Sequence, residues 1–138
     1  MSTRTFVDTN VLVYANDPAD PGKQRRARET LRAHADDLVI SAQVLSELYT
    51  VVTRRLQTPM SAPEARAVVD ELRSFPVVSI DERLVIDAID ISTNGGFAYW
   101  DGLILAAARA GGCDSVLTED LSHDAVIAGV RIENPFAM

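Results

Sequence analysis

The chain has 138 residues, of which 47% are hydrophobic, 24% charged and 6% aromatic, the size and make-up of one domain over residues 1–138 that can bury a core without disulfide or structural-metal staples. The lone Cys113 cannot form an internal bridge, no run reaches the roughly 18 apolar residues of a spanning helix, and the first ten residues hold no apolar signal segment. A reducing cytoplasm is therefore expected, and secretion or membrane insertion is not. The net charge of −7 argues by itself against nucleic acid, which is gripped through Lys and Arg.

That charge is unevenly spread. Between positions 23 and 55 lie Lys23, Arg25, Arg26, Arg28, Arg32, Arg54 and Arg55, against only Glu29, Asp36, Asp37 and Glu47. Twelve of the thirteen bases in the chain are Arg, with Lys23 the exception.

In chain order, Thr5-Phe6-Val7-Asp8 reads as a short strand, Asp8-Thr9-Asn10 as a turn, and Val11 to Tyr14 as a short helix. Asp17-Pro18-Ala19-Asp20-Pro21-Gly22 is a loop. Residues 23–35 form a basic helix, and Leu38-Val39-Ile40 a buried strand closed by Ser41. Val44, Leu45, Leu48, Val51 and Val52 make one stripe of an amphipathic helix over 42–56. Ala65, Val68, Val69, Leu72 and Phe75 repeat that spacing after Pro63. Val77 to Ile80 is a strand, Leu84 to Ile91 a helix ended by Asn94-Gly95-Gly96, and Trp100 to Ala110 a helix stopped by Gly111-Gly112. Strands follow at Ser115 to Thr118 and Val130 to Ile132. Short apolar strands alternating with helices predict an α/β fold: a mainly parallel sheet between two layers of helices.

In open α/β sheets ligands bind beyond the carboxyl ends of the strands. Asp8 and Asp120 follow predicted strands, Asp101 opens an Ala-rich helix, and Glu47 sits about 40° from Val51 on the helical wheel, at the margin of the buried stripe. Each has a plain structural reading: Asp101 as an N-cap, Asp8 and Asp120 as turn residues bonded to their own backbone, Glu47 as a solvated edge. Four acids from separate segments at one end of one sheet are a different matter. Two carboxylates about 4 Å apart repel by about 4 kcal/mol at an effective dielectric of 20, so the cluster must take up protons or hold a cation. Oxygen ligands select Mg²⁺ or Mn²⁺ over zinc, for which His34, His123 and Cys113 offer no ligand-spaced pair. Carboxylate-held Mg²⁺ serves phosphoryl chemistry.

Val7-Asp8-Thr9-Asn10-Val11-Leu12, Ser41 with Val44 and Glu47, Trp100-Asp101-Gly102-Leu103-Ile104-Leu105-Ala106, and Leu117-Thr118-Glu119-Asp120-Leu121 together resemble the successive motifs of PIN-domain ribonucleases, in particular the VapC toxins of type II toxin–antitoxin systems. The resemblance implies a three-layer α/β/α fold, a Mg²⁺- or Mn²⁺-dependent endoribonuclease, a homodimer, and a cognate VapB-like antitoxin that inhibits it. By position it makes Asp8, Asp101, Glu47 and Asp120 the metal-binding acids, with Asn10 and Thr118 supporting them. Glu119 stands beside Asp120 as a substitute for the fourth acid. Arg25, Arg26, Arg28, Arg32, Arg54 and Arg55 are candidates to hold RNA phosphates, or else form a solvated helix face. Gly102 is expected to loosen the first turn of its helix.

Two other functions remain in view. A Mg²⁺-dependent phosphoryl-transfer domain fits less well, because a receiver domain wants a late-strand Lys and a dehalogenase-type phosphatase an Asp where Asn10 stands. A non-catalytic PIN-fold module binding RNA or protein would not need all four acids. A metal-free reaction through His34 and His123 is disfavoured, since His34 repeats the helical spacing of Ala27 and Leu31.

Overall fold

The computed structural model describes residues 3–137. It contains β1 (Thr5–Val7), α1 (Thr9–Ala15), α2 (Pro21–Ala33), β2 (Leu38–Ser41), α3 (Ala42–Arg54), α4 (Ala62–Leu72), β3 (Val77–Val78), α5 (Glu82–Gly95), α6 (Tyr99–Ala110), β4 (Ser115–Leu117), β5 (Val126–Ile127) and β6 (Val130–Glu133). The strands form one sheet in the order β3-β2-β1-β4-β6-β5. Every pairing is parallel except the β5–β6 hairpin.

That order dictates the layers. From β1 the chain steps to β2 and then β3 in one direction, so right-handed crossovers put α1 to α4 on one face. From β3 it returns past β1 to β4, which puts α5 and α6 on the other. The packing agrees: α1 meets α2 and α3, α3 meets α4 and β2, while α6 lies against α5, β2, β4 and β6. The α/β/α architecture is as expected. β1, β2 and the end of β4 are buried on both faces, which is why their sequences are continuous apolar runs without alternation.

α6 is buried from Gly102 to Ala108, held between the sheet and α5. The expected loosening at Gly102 is not its role. A Cβ there would lie 2.6 Å from the Ala88 carbonyl oxygen and 3.0 Å from the Ser92 Cβ, so glycine is what lets α5 and α6 approach. At the end of α5, Gly96 takes the left-handed φ of 71° and its N–H closes on the Ser92 carbonyl, as the Gly95-Gly96 pair predicted.

Two local expectations are corrected and one strand is new. α1 starts at Thr9, because the Asp8 side chain accepts from the Thr9 N–H and caps the helix at once. The predicted strand to Ile80 pairs only over Val77–Val78. Of the β5–β6 hairpin, β6 is the strand expected at Val130 to Ile132, whereas β5 has no sequence expectation behind it: the turn, Ala128-Gly129, holds φ of 54° and 79°, and Ala is an unusual residue at the first left-handed position of such a turn. Cys113 is buried, and desolvation pushes its thiol up to about 12. Among the described residues no helix is long and apolar enough to cross a membrane.

Candidate active site

β1 and β4 are neighbours at the point where the strand order reverses: the chain leaves β1 toward β2 and leaves β4 toward β6, so a crevice opens beyond their carboxyl ends. The two motifs that follow these strands meet there. The Asp8 N–H donates to the Leu117 carbonyl at 2.9 Å, which fixes the start of the Thr118-Glu119-Asp120 loop against the start of α1. Asp8 is only 6% exposed. Its Oδ1 accepts from the Thr9 N–H at 2.7 Å and its Oδ2 from the Thr118 hydroxyl at 2.8 Å.

Thr118 is fully buried and links the cluster. Besides donating to Asp8, its Oγ1 accepts from the Asp120 N–H at 3.1 Å and from Asn10 Nδ2 at 3.4 Å. Asn10 Nδ2 also donates to the Asp120 carboxylate at 3.0 Å. Asp120 is therefore not a turn residue bonded to its own backbone: its carboxylate is held by a side chain from α1.

Glu47 comes from α3, which Ser41 starts by accepting from the Val44 N–H. The solvated-edge reading fails for Glu47, because both carboxylate oxygens have donors: Thr9 Oγ1 to Oε2 at 3.2 Å and Gln43 Nε2 to Oε1 at 2.7 Å. Thr9 and Gln43 were not among the expected site residues. Gln43 sits one helical turn before Glu47, on the same face, and that spacing was the available signal. Asp101 lies in the first turn of α6, whose N-cap is Ala98 with no side-chain cap bond. The N-cap reading of Asp101 is thus corrected, since the helix begins two residues before it.

The electrostatics join the four acids. Burial pushes Asp8 up to about 7, with the carboxylates of Asp120 and Glu47 adding to the shift and the bonds from Thr118 and Thr9 opposing it. Asp101 is raised by burial and by the same two carboxylates. Among the described residues, none of the four is ion-paired with Lys, Arg or His. A cleft of about 360 Å³ opens on Asp8, Glu47 and Asp120. An all-oxygen donor set short of positive charge fits a hard divalent cation. The side chains do not yet form a closed cage: among the described residues, no three Asp, Glu, His or Cys groups stand together as a ready-made metal site.

Other candidates separate clearly. Glu119 is bound to Lys23 Nζ at 3.0 Å and to the Tyr14 hydroxyl at 2.8 Å, with the Lys23 ammonium 4.3 Å from the centre of the Tyr14 ring. The one lysine is thereby committed to Glu119, and of the two adjacent acids it is Asp120 that lines the cleft with Asp8 and Glu47. Of the six arginines, Arg55 lines the acidic cleft. Arg28 donates through Nε to the Ala15 carbonyl at 2.8 Å, tying α2 to α1. Arg25, Arg26, Arg32 and Arg54 are exposed and do not line the cleft. His34 caps α2 and contacts Asp37 at 3.2 Å, beside the amino end of β2 and away from the acids.

The sequence model of the PIN domain matches residues 5–128. No curated protein matches the chain by sequence. Among solved structures, the chain resembles a toxin–antitoxin complex from Klebsiella pneumoniae, with 18% identity, a TM-score of 0.73, and coverage of 97% of this chain and 99% of that one. It resembles the sarcin–ricin loop cleaving toxin VapC20 of Mycobacterium tuberculosis, with 19% identity, a TM-score of 0.70, and coverage of 92% and 98%. It is similar as well to DNA-bound VapBC from Salmonella typhimurium, with 22% identity, a TM-score of 0.70, and coverage of 97% and 99%. With four acids gathered beyond β1 and β4 of a three-layer fold and the family match running over nearly all of it, the chain belongs to the PIN domain family.

Proposed function

We propose that this single PIN domain is a Mg²⁺- or Mn²⁺-dependent endoribonuclease and the toxin of a type II toxin–antitoxin pair. The observation that carries the reading is the set Asp8, Glu47, Asp101 and Asp120, delivered from four separate segments and lacking any cationic partner among the described residues. The similarity to solved toxins and toxin–antitoxin complexes supports it.

In this reading Asp8, Asp101, Asp120 and Glu47 hold the cation. Bound there, Mg²⁺ or Mn²⁺ supplies a Lewis acid that offsets charge on the scissile phosphate and favours attack by water. The rest is done by the chain. Thr118 and the Thr9 N–H orient Asp8, Asn10 aims Asp120, and Thr9 with Gln43 holds Glu47, a supporting layer of the kind that sets ligand direction at metal sites. Because Asp8 retains a proton up to about pH 7, cation binding is coupled to its release. Arg55 stands where it can meet an RNA phosphate beside the acids.

A VapB-like antitoxin and a second copy of the chain are the expected protein partners, and the cytoplasm the expected compartment. Exposed Ile86 and Ile89 on α5 are available to a protein interface. The test is cleavage of RNA by the purified chain with Mg²⁺ or Mn²⁺ and with EDTA. Cleavage that needs the metal and disappears in Asp8→Asn and Asp101→Asn is expected. RNA that is bound but never cut points instead to a non-catalytic module.

A further inference from the structure

A second cleft, of about 610 Å³, adjoins the acidic one on the far side of Glu47, which lines both. Its other walls are Ile80, Leu103, Ser46, Gln43 and Trp100. Trp100 is the only tryptophan of the chain and is 63% exposed, an unusual position for so large an apolar surface. Its ring is braced by Tyr99, 5.1 Å away in an edge-to-face pair. Gln43 is 8% exposed. Its Nε2 must face the Glu47 carboxylate, which can only accept, so the amide orientation is fixed and Oε1 is left over. That oxygen is buried with no hydrogen-bond partner, a condition native proteins rarely leave unmet.

We propose that this cleft is a nucleobase subsite for the RNA strand whose phosphate reaches the acids. The inference rests on the nuclease reading. A nucleobase has a flat π-face to stack on the Trp100 indole, and an outward shift of Gln43, whose Oε1 is closed off from solvent without a base, would let that oxygen accept a ring-edge N–H. Ser46 offers a hydroxyl to the same edge. An apolar helix of a protein would cover Trp100, Ile80 and Leu103 but would leave Oε1 unmet, which favours the base over a protein segment. The shared Glu47 wall places the base beside the acidic cleft. Trp100 and Gln43 then act as specificity-determining residues, reading a base next to the cleaved bond.

Because Trp100 is the sole tryptophan, its fluorescence reports on this cleft alone. Short single-stranded oligoribonucleotides of each base, added to the full chain in EDTA, are expected to quench it, and an abasic site at one position to abolish the quenching. With metal present, Trp100→Ala is expected to lower kcat/KM about tenfold, mainly through KM, and Trp100→Phe to restore most of it. Gln43→Leu is expected to change the relative rates for substrates differing in the base beside the cut. A merely structural role for Gln43 would slow all of them equally. RNA that binds and is cut without quenching Trp100 overturns the subsite and leaves the nuclease standing. Trp100 that ignores RNA but shifts its emission with an apolar helical peptide makes the cleft a protein-docking face. RNA neither bound nor cut by the unaltered chain removes the nuclease reading itself.

Discussion

The two ends of the sheet carry acids in opposite conditions. At the amino end, a cleft of about 1000 Å³ is lined by Arg4, His34, Asp36 and Asp37. Asp37 there is satisfied: it accepts from the Thr5 hydroxyl at 2.9 Å and pairs with His34, and Arg4 donates to the Gly111 carbonyl. At the carboxyl end the cleft is smaller, yet its acids face one another without a cation, and Asp8 is driven up to about 7. Cavity size alone would pick the amino end, whereas uncompensated charge picks the carboxyl end as the candidate site. Placing acids at a topological switch point where nothing neutralises them lowers stability, and a site whose charges await a ligand shows that pattern.

The sharpest way to break this contrast is to neutralise one acid at each end. Asp8→Asn and Asp101→Asn are expected to reduce metal-dependent RNA cleavage by more than about a hundredfold, judged by initial rates, whereas Asp37→Asn leaves it near the unaltered rate.

Metal-free stability should move the other way. Asp8 titrates higher folded than its usual 3.8, so the folded state binds its proton more tightly than the unfolded one. The associated stability is complete below about pH 4 and is lost as pH rises through about 7. At pH 8 the ionised, buried Asp8 opposes folding, and Asp8→Asn is expected to gain about 2–4 kcal/mol in urea melts in EDTA. Asp37→Asn, which weakens a satisfied pair, is expected to lose about 1 kcal/mol under the same conditions. Asp101→Asn should cost nothing without metal, since Asp101 caps no helix.

Within the carboxyl end, adjacent acids can be set against each other. Asp120→Asn is expected to lower cleavage by about tenfold or more. Glu119→Gln should change it by less than about threefold, because Glu119 is already held by Lys23 and Tyr14 and a partly exposed pair contributes about 1 kcal/mol or less. The smallest effect concerns the arginines. Arg55→Glu is expected to weaken RNA binding and flatten its dependence on salt. The same reversal at Arg25 or Arg26, which lie off the cleft, should leave both within about twofold.

Much of this was readable from residues alone, where a local rule and the global fold agree. The fully apolar runs at Phe6-Val7 and Val39-Ile40 gave the parallel strands, and the acids following β1 and β4 marked the candidate site. The amphipathic stripe of α3 put Glu47 near the interior. What escaped depended on partners distant in sequence. That Glu119 is withdrawn follows from Lys23, 96 residues away. That Gly102 allows close packing rather than weakening a helix follows from the Ala88 carbonyl of another helix. The buried, unmet Oε1 of Gln43 follows from its partner Glu47 and its burial together, neither of which helical spacing alone can decide. β5, and with it the pairing to the expected β6, escaped because the turn between them uses Ala128 where Asn or Asp is the usual signal.

The central claim is that the unpaired acids beyond β1 and β4 form a divalent-cation site whose occupancy requires Asp8 to be ionised. Mn²⁺ binding to the full chain, followed by the loss of free-ion electron paramagnetic resonance signal at pH 5.5 and pH 8, tests it most directly. One class of site filling at pH 8, weakened at pH 5.5, lost in Asp8→Asn and intact in Asp37→Asn is the expected result. Equal Mn²⁺ binding by the unaltered chain and by Asp8→Asn at pH 8 would contradict it.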